Sequence, residues 1–294
     1  MRYASTVSEA TQAAFDQAYA AMLALWTAKP ESRDVALPNG DSTRVQVWGQ
    51  PDAPPLLLMH GFHVTSTMWA PNAADLGAAR RVYAPDTLGD YGYSRAARVP
   101  RSLDELLAWI ESLVDALGLQ TFDIGGMSYG GWLAASFAAR RPERVRKVVL
   151  LAPGASFGSF SLPFIFRGMP MMLFRKHASV DAYLRWAAVP AQNDAKYEAW
   201  MRGLVDVMHA GICHFRGRSL PLPARLPAET MRALAAPTLL VYGEQEKMYA
   251  AKPALERARA HVATLETLLV PDASHDLTLR QPRLIDDAIV RFLG

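Results

Sequence analysis

Short, nearly continuous apolar runs alternate with helix-patterned stretches along most of this chain. Runs of this kind are typical of strands that are buried on both faces, as in a parallel sheet covered by helices. The six runs are Leu56–His60, Val82–Asp86, Phe122–Gly126, Lys147–Ala152, Thr238–Tyr242 and Leu265–Val270. The alternation therefore predicts an α/β fold built on a mostly parallel sheet.

Two further strands are predicted near the start of the chain. Arg33–Leu37 and Thr43–Trp48 flank the turn Pro38-Asn39-Gly40-Asp41, which is a strong hairpin signal and brings the sheet to eight strands. Helical periodicity fills the connections and also residues 8–27, where large apolar side chains recur at helical spacing. The other predicted helices are Met68–Ala78, Ser102–Leu117, Tyr129–Arg140, Pro253–His261 and Pro282–Leu293.

The alternation breaks at Pro153-Gly154 and resumes at Pro237. Between them only Ala178–Ala188 and Ala195–His209 show a helical pattern. We therefore predict a core domain in two pieces, residues 1–154 and 236–294, with residues 155–235 inserted as a helical cap.

Composition indicates a globular protein of a reducing compartment. The chain has 294 residues, of which 51% are hydrophobic, and a single cysteine, Cys213, which excludes an intramolecular disulfide. No secretory leader is evident at the start, and no apolar run approaches the ~20 residues that span a bilayer. We expect a cytoplasmic protein.

The charge pattern does not favour nucleic-acid binding. The net charge is +3, without a run of Lys or Arg that could contact phosphates. Residues 155–235 hold ten Lys or Arg and five Asp or Glu, hence +5, which leaves −2 for the remainder. Solubilising charge is the preferred interpretation, and a preference for acidic substrates or partners is the alternative.

The strongest chemical signal is Gly126-Met127-Ser128-Tyr129-Gly130. It lies directly after a predicted strand and before a predicted helix, so the tight turn lifts the Ser128 hydroxyl clear of the backbone. The start of the next helix also favours a developing negative charge there. We predict that Ser128 is a catalytic nucleophile.

A serine nucleophile needs a base and a carboxylate that orients this base. His275 follows the last predicted strand and is the candidate base. Glu246 is the preferred carboxylate, with Glu244 as the rival, and Lys247 could instead pair with either acid at the surface. No pair of histidines has metal-ligand spacing with a carboxylate, so no metal site is predicted.

The motif His60-Gly61-Phe62-His63 follows another predicted strand. Gly61 allows the chain to turn so that the Phe62 amide, together with that of Tyr129, forms a two-donor oxyanion hole. His60 is expected to be a buried scaffold residue. His63 either lines the substrate pocket or is an ordinary loop histidine.

These motifs resemble those of the α/β hydrolases, specifically the capped carboxylesterase-type group. The resemblance covers roughly residues 31–154 and 236–294, and the chain order of serine, acid and histidine agrees with it. Two departures stand out. The family more often has Asp where Glu246 stands. The loop Asp86–Ser94, which the resemblance places beside the pocket entrance, resembles the family's Asp-x-x-Gly-x-Gly-x-Ser loop with one extra residue.

The cap begins with many Phe and Met side chains between Phe157 and Phe174. Pro163 and Pro170 are expected to interrupt any membrane-surface helix, so the preferred interpretation is a lid over an apolar acyl pocket. Lipase action is not favoured, because no long exposed apolar lid is evident. The predicted substrate-binding residues are His63, Phe157, Phe160, Met169 and Met172.

The sequence thus predicts a serine esterase that hydrolyses small to medium apolar carboxylic esters through an acyl-enzyme. We expect no cofactor, a small-molecule ester as the partner, and neither nucleic acid nor membrane. The same residues would serve C–C bond hydrolases of ring-cleavage pathways, perhydrolases, or acyl-transfer and cyclising enzymes. A non-catalytic ligand-binding relative is a further alternative.

Overall fold

One eight-stranded sheet runs through the computed structural model, which describes residues 8–190, 194–217 and 219–294. The strands, in chain order, are β1 (Glu31–Ala36), β2 (Ser42–Trp48), β3 (Pro55–Met59), β4 (Arg81–Pro85), β5 (Phe122–Met127), β6 (Val145–Leu151), β7 (Thr238–Gly243) and β8 (Leu265–Val270). Across the sheet their order is β1-β2-β4-β3-β5-β6-β7-β8. Only the β1–β2 and β2–β4 pairs are antiparallel, so the predicted mostly parallel sheet is confirmed.

Helices cover both faces of the sheet, as expected for strands that are apolar all round. Every residue of β5 and of β7 is buried. The helices outside the β6–β7 connection are α1 (Glu9–Ala24), α2 (Ala73–Ala79), α3 (Leu103–Ala116), α4 (Tyr129–Arg140), α9 (Ala251–His261), α10 (Leu277–Arg280) and α11 (Pro282–Leu293). The helix predicted over Met68–Ala78 is split, because a 3₁₀ segment that contains Pro71 runs from Ser66 to Asn72 before α2.

Four helices lie in the described part of the long connection between β6 and β7. They are α5 (Leu162–Phe174), α6 (His177–Ala187), α7 (Ala195–His214) and α8 (Ala228–Arg232). The expectation that prolines interrupt the first of these was wrong. Pro163 lies in the first turn, where the backbone nitrogen needs no acceptor, and α5 continues through Pro170. Within the described residues, no helix combines the length and hydropathy of a membrane span.

Helix α1 holds the inserted helices against the core. Its side chains Phe15, Tyr19 and Met22 are buried, as the periodicity predicts. Met22 packs so closely on α7 that a Cβ atom at Gly203 would lie 2.1 Å from its sulfur. Glycine at this position therefore allows the two helices to approach.

A buried carboxyl group joins the last helix to the start of α2. The Asn72 side-chain amide donates to Asp286 Oδ1 over 2.9 Å, and Asp286 Oδ2 has no hydrogen-bond partner among the described residues. Burial raises the pKa of Asp286 to about 8. The carboxyl group is therefore mostly protonated at neutral pH.

This raised pKa predicts a measurable pH dependence of stability. The unfolded chain releases the Asp286 proton near pH ~4, whereas the folded protein keeps it up to pH about 8. Stability is therefore fully present at low pH and falls as the pH rises, by at most ~1.4 kcal/mol per pH unit. Asp286→Asn should remove this slope. The free energy of unfolding of the variant, measured in urea, should therefore rise relative to that of the wild type between pH 5 and pH 8. Asp287→Asn, at an exposed position next in the helix, is the control. Parallel pH profiles for wild type and Asp286→Asn would contradict the assignment.

Candidate active site

Ser128 occupies the sharp turn between β5 and α4 with a strained backbone, at φ 52° and ψ −111°. The turn is tight because three backbone segments meet there. A Cβ atom at Gly126 would lie 2.3 Å from the Gly130 carbonyl carbon, and one at Gly130 would lie 2.3 Å from the Met59 oxygen. Both flanking glycines are therefore required, because the backbone approaches too closely for a side chain at either position. The Ser128 side chain is partly exposed.

The structure brings His275 and Glu246 together. His275 lies in the loop between β8 and α10, and its Nδ1 is 3.0 Å from Glu246 Oε2. The Glu246 side chain is fully buried and the His275 side chain is 11% exposed. The other carboxylate oxygen of Glu246 accepts a 2.8 Å hydrogen bond from the Met248 amide. Glu244, the rival, is exposed to solvent.

Tyr249 adds a hydroxyl group that the sequence analysis did not single out. Its ring centre lies 5.8 Å from that of His275, and its hydroxyl group is near enough to the Ser128 side chain to interact with it. Burial and the nearby Glu246 carboxylate raise the pKa of Tyr249, so it stays a neutral phenol. Nothing in the pattern Glu246-Lys247-Met248-Tyr249 indicates which of these side chains turns towards the serine.

The two predicted oxyanion donors are free to bind a ligand. Neither the Phe62 nor the Tyr129 amide donates to an acceptor within the described part of the chain. A Cβ atom at Gly61 would lie 3.8 Å from Ser128 Cβ, so the loop after β3 passes beside the serine. Tyr129 also begins α4, whose dipole places partial positive charge at this end.

His60 supports this loop from below. It is fully buried, and its Nε2 accepts a 2.8 Å hydrogen bond from the Thr87 amide. The proton is therefore on Nδ1, which donates to the Gly61 carbonyl over 2.7 Å. Burial lowers the pKa of His60, so the ring is a neutral scaffold, as the sequence analysis expected.

His63 lies beside the candidate oxyanion loop as part of an aromatic stack. Its ring is 3.8 Å from that of Phe62 and 4.6 Å from that of Tyr91, and nearly parallel to the latter. Burial lowers the pKa of His63 to about 4, so the ring is uncharged at neutral pH. It contributes an apolar wall and no charge.

A cavity of about 850 Å³ opens above Ser128 and His275. Four of the five predicted substrate-binding residues line it, namely His63, Phe160, Met169 and Met172. Phe157 does not; it is 1% exposed and packs in the hydrophobic core. The cavity wall is apolar to a degree that the sequence did not indicate, because α5 and α7 contribute Met and Leu side chains to it and α6 contributes Leu184.

Hydrogen bonds tie the loops that carry His275 and Glu246 to the end of α6. The His275 amide donates to the Ala187 carbonyl over 3.1 Å. The Lys247 ammonium group donates to the carbonyls of Trp186 and Ala188 over 2.9 and 2.7 Å. Lys247 thus binds backbone carbonyls, rather than forming the surface ion pair that was the alternative.

Asp276 extends this connection to α7. Its Oδ2 accepts a 2.8 Å hydrogen bond from the Tyr197 hydroxyl group and a 3.3 Å bond from the Val189 amide. Its Oδ1 accepts from the Ser274 amide over 3.0 Å. Although Asp276 is adjacent to His275 in the chain, its carboxylate fixes the loop and does not contact the imidazole among the described contacts.

Comparison with known proteins gives a consistent family. The alpha/beta hydrolase fold family matches residues 54–281. Carboxylesterase YbfK of Bacillus subtilis (strain 168) is 30% identical over 285 residues, which cover 95% of this chain and 93% of that protein. The crystal structure of naproxen esterase from Bacillus subtilis has a TM-score of 0.88 and 28% identity, and covers 99% of this chain and 100% of that one.

Other relatives match a smaller part of this chain. A 2-hydroxymuconate semialdehyde hydrolase of Pseudomonas sp. (strain CF600) is 31% identical over 222 residues, covering 71% of this chain and 78% of that protein. The family match spans most of the chain, and two curated relatives that each cover 95% of it are named as carboxylesterases. This chain belongs to the α/β-hydrolase family and is a hydrolase of the carboxylesterase type.

Proposed function

We propose that the protein hydrolyses small to medium apolar carboxylic esters, with Ser128 as nucleophile, His275 as base and Glu246 as the carboxylate that orients His275. The observation that carries this proposal is the buried Glu246–His275 pair beneath the cavity that Ser128 lines. The contact between Glu246 Oε2 and His275 Nδ1 holds the proton of the imidazole on Nδ1, so Nε2 is left as the basic nitrogen.

The reaction follows from this arrangement. Ser128 Oγ attacks the ester carbonyl carbon while its proton passes to His275, and the amides of Phe62 and Tyr129 stabilise the oxyanion. His275 then returns the proton to the leaving alcohol as the C–O bond breaks, which leaves an acyl group on Ser128. Water then attacks the carbonyl carbon of the acyl-enzyme while one of its protons passes to His275. His275 returns this proton to Ser128 Oγ as the bond between the acyl group and Ser128 breaks, and the acid is released.

We further infer that residues 155–235 act as a cap on the core formed by residues 1–154 and 236–294. In support, α5, α6 and α7 supply one wall of the cavity, while the serine, the histidine and the oxyanion loop come from the core. A cytoplasmic location stays a prediction that rests on the single cysteine.

The alternative of a C–C bond hydrolase is less well supported by the cavity. The products of aromatic ring cleavage carry carboxylate groups, and a buried carboxylate needs a cationic partner. None of the described residues that line the cavity is Lys or Arg. A neutral ester fits this wall better, and the same argument disfavours the acidic substrates that the charge of the cap left open.

Replacement of the serine tests the nucleophile. Ser128→Ala should lower kcat for p-nitrophenyl butyrate by at least about 10³-fold, because the covalent route is lost. The side chain is partly exposed, so the thermal unfolding temperature should change little. Only a few-fold loss of turnover in a well-folded variant would overturn the assignment.

The two glutamates provide a matched pair of variants. Glu246→Gln should lower kcat at least about 100-fold, because an amide neither stabilises imidazolium nor fixes its tautomer. Glu244→Gln, the same substitution at an exposed position two residues away, should change kcat by less than about twofold. An equal or larger effect at Glu244 would refute the choice of Glu246.

The apolar wall predicts an optimum in acyl length. In a series of p-nitrophenyl esters from two to twelve carbons, kcat/KM should first rise, since each buried methylene contributes about 0.8 kcal/mol. It should then fall once the cavity is full. Phe164→Ala should move the optimum to longer chains, because Phe164 lines the cavity. Phe166→Ala, the same change on the exposed face of the same helix, should leave the optimum in place. A steady decline from acetate onward would show that the wall does not bind the acyl chain.

A further inference from the structure

Helix α5 directs large apolar side chains into solvent. Leu162, Phe166, Met169 and Leu173 recur at intervals of four, three and four residues, so they share one face of the helix. Phe166 and Leu173 are 67% and 72% exposed. The opposite face contains the buried Met171 and packs towards the body. A helix on the surface of a soluble protein normally turns its apolar face to the core and its polar face to solvent. A contiguous apolar surface in solvent marks an interaction site.

This face surrounds the opening of the cavity. Ile165, Met169, Met172 and Leu173 are exposed and at the same time line the cavity. Leu222, from the segment between α7 and α8, is 72% exposed and also lines it. Whatever covers the α5 face therefore also lies over the route to Ser128.

The charged side chains of the segment that contains α5 are all of one sign. Residues 155–180 contain no Asp or Glu, and their charged side chains are Arg167, Arg175 and Lys176. All three are exposed, and the latter two follow directly on the C-terminal end of α5. An apolar helix face bordered by basic side chains is the pattern of helices that lie in the surface layer of anionic membranes.

We propose that α5 docks the cap onto an anionic lipid surface, with the mouth of the cavity turned towards the lipid. The apolar face enters the boundary of headgroups and acyl chains, while Arg175 and Lys176 contact anionic headgroups. An apolar ester dissolved in the lipid then reaches the cavity without crossing water. This goes beyond the esterase activity, and it departs from the sequence-based expectations that the protein has no membrane partner and no exposed apolar lid.

A second copy of the chain is the competing occupant. Two copies that meet through α5 would place like charges together, because the segment carries three cations and no anion. They would also cover both cavity openings. An anionic lipid surface instead places negatively charged headgroups next to these cations and acyl chains next to the cavity opening. The charge pattern therefore favours lipid over a second copy.

The experiment measures vesicle binding with Ser128→Ala protein, so that its result does not depend on ester hydrolysis. Vesicles of phosphatidylglycerol and of phosphatidylcholine are floated through a density gradient at 50 mM and 500 mM NaCl, and the bound fraction is determined. We expect binding to phosphatidylglycerol at low salt, at least about tenfold weaker partition to phosphatidylcholine, and weakening at high salt.

Two double variants separate the apolar and the charged contributions. Leu162→Ser with Phe166→Ser should abolish binding; neither side chain lines the cavity, so kcat/KM for a monomeric ester, measured with Ser128 intact, should be unchanged. Arg175→Gln with Lys176→Gln should weaken partition by about 30-fold, at about fivefold for each basic side chain. Lys29→Gln with Arg283→Gln removes the same charge at exposed positions on the core and should leave binding unchanged.

Several outcomes would overturn the proposal. One is the absence of flotation with phosphatidylglycerol vesicles at low salt. Another is equal weakening by the core pair and by the α5 pair, which would indicate nonspecific charge attraction. A third is a dimer in light scattering that Leu162→Ser with Phe166→Ser converts to monomer, which would assign the face to a second copy. Activity of the Ser128 protein on the monomeric ester distinguishes any of these from a failure of the esterase proposal.

Discussion

The backbone of α4 passes so close to the end of β3 that no side chain fits between them, and the geometry of the site depends on this contact. A Cβ atom at Gly130 would lie 2.3 Å from the Met59 oxygen, and Gly126 is equally close to Gly130. The chain between them can only turn with Ser128 at a positive φ, which costs a non-glycine residue energy. The packed sheet on both sides supplies the stability that holds this conformation. The same contact sets the Tyr129 amide at the helix start beside the loop of Phe62, so the proposed nucleophile and the proposed oxyanion donors are positioned by one rigid contact.

His275 and Glu246 are held differently, by the helices inserted between β6 and β7 as well as by the loops that follow β7 and β8. Their loops follow β7 and β8, but the His275 amide and the Lys247 ammonium group bind carbonyls at the end of α6. Asp276 accepts a hydrogen bond from Tyr197 in α7. The inserted helices therefore do more than cover the cavity, since a displacement of α6 would move the imidazole relative to the fixed serine.

The sequence predicts the sheet, the turn at Ser128 and the proximity of Glu246 to His275 because each rests on a local pattern. Apolar runs, glycines around Ser128, and loop positions after β7 and β8 are all visible without tertiary contacts. What it misses is set by packing between distant segments. The orientation of Tyr249 depends on how its loop meets Ser128. The sequence also does not distinguish a Phe157 that is buried in the core, as observed, from a Phe157 that lines the cavity. The prolines of α5 gave a wrong expectation, because Pro163 occupies the first turn, where it is compatible with a helix.

The low charge of the cavity wall affects both the stability of an oxyanion at Ser128 and the kind of substrate that can bind. Burial keeps His63 neutral and raises the pKa of Tyr249 and of Tyr183, so none of these three side chains of the cavity wall is charged at neutral pH. In such a medium of low polarity, an oxyanion that forms at Ser128 interacts strongly with two fixed amides and with the helix dipole. A substrate that brought its own charge would lose hydration without gaining a partner. Under the proposed function, the wall would select neutral apolar carbonyl compounds, and these are the molecules that partition into an apolar surface such as the one α5 presents around the opening.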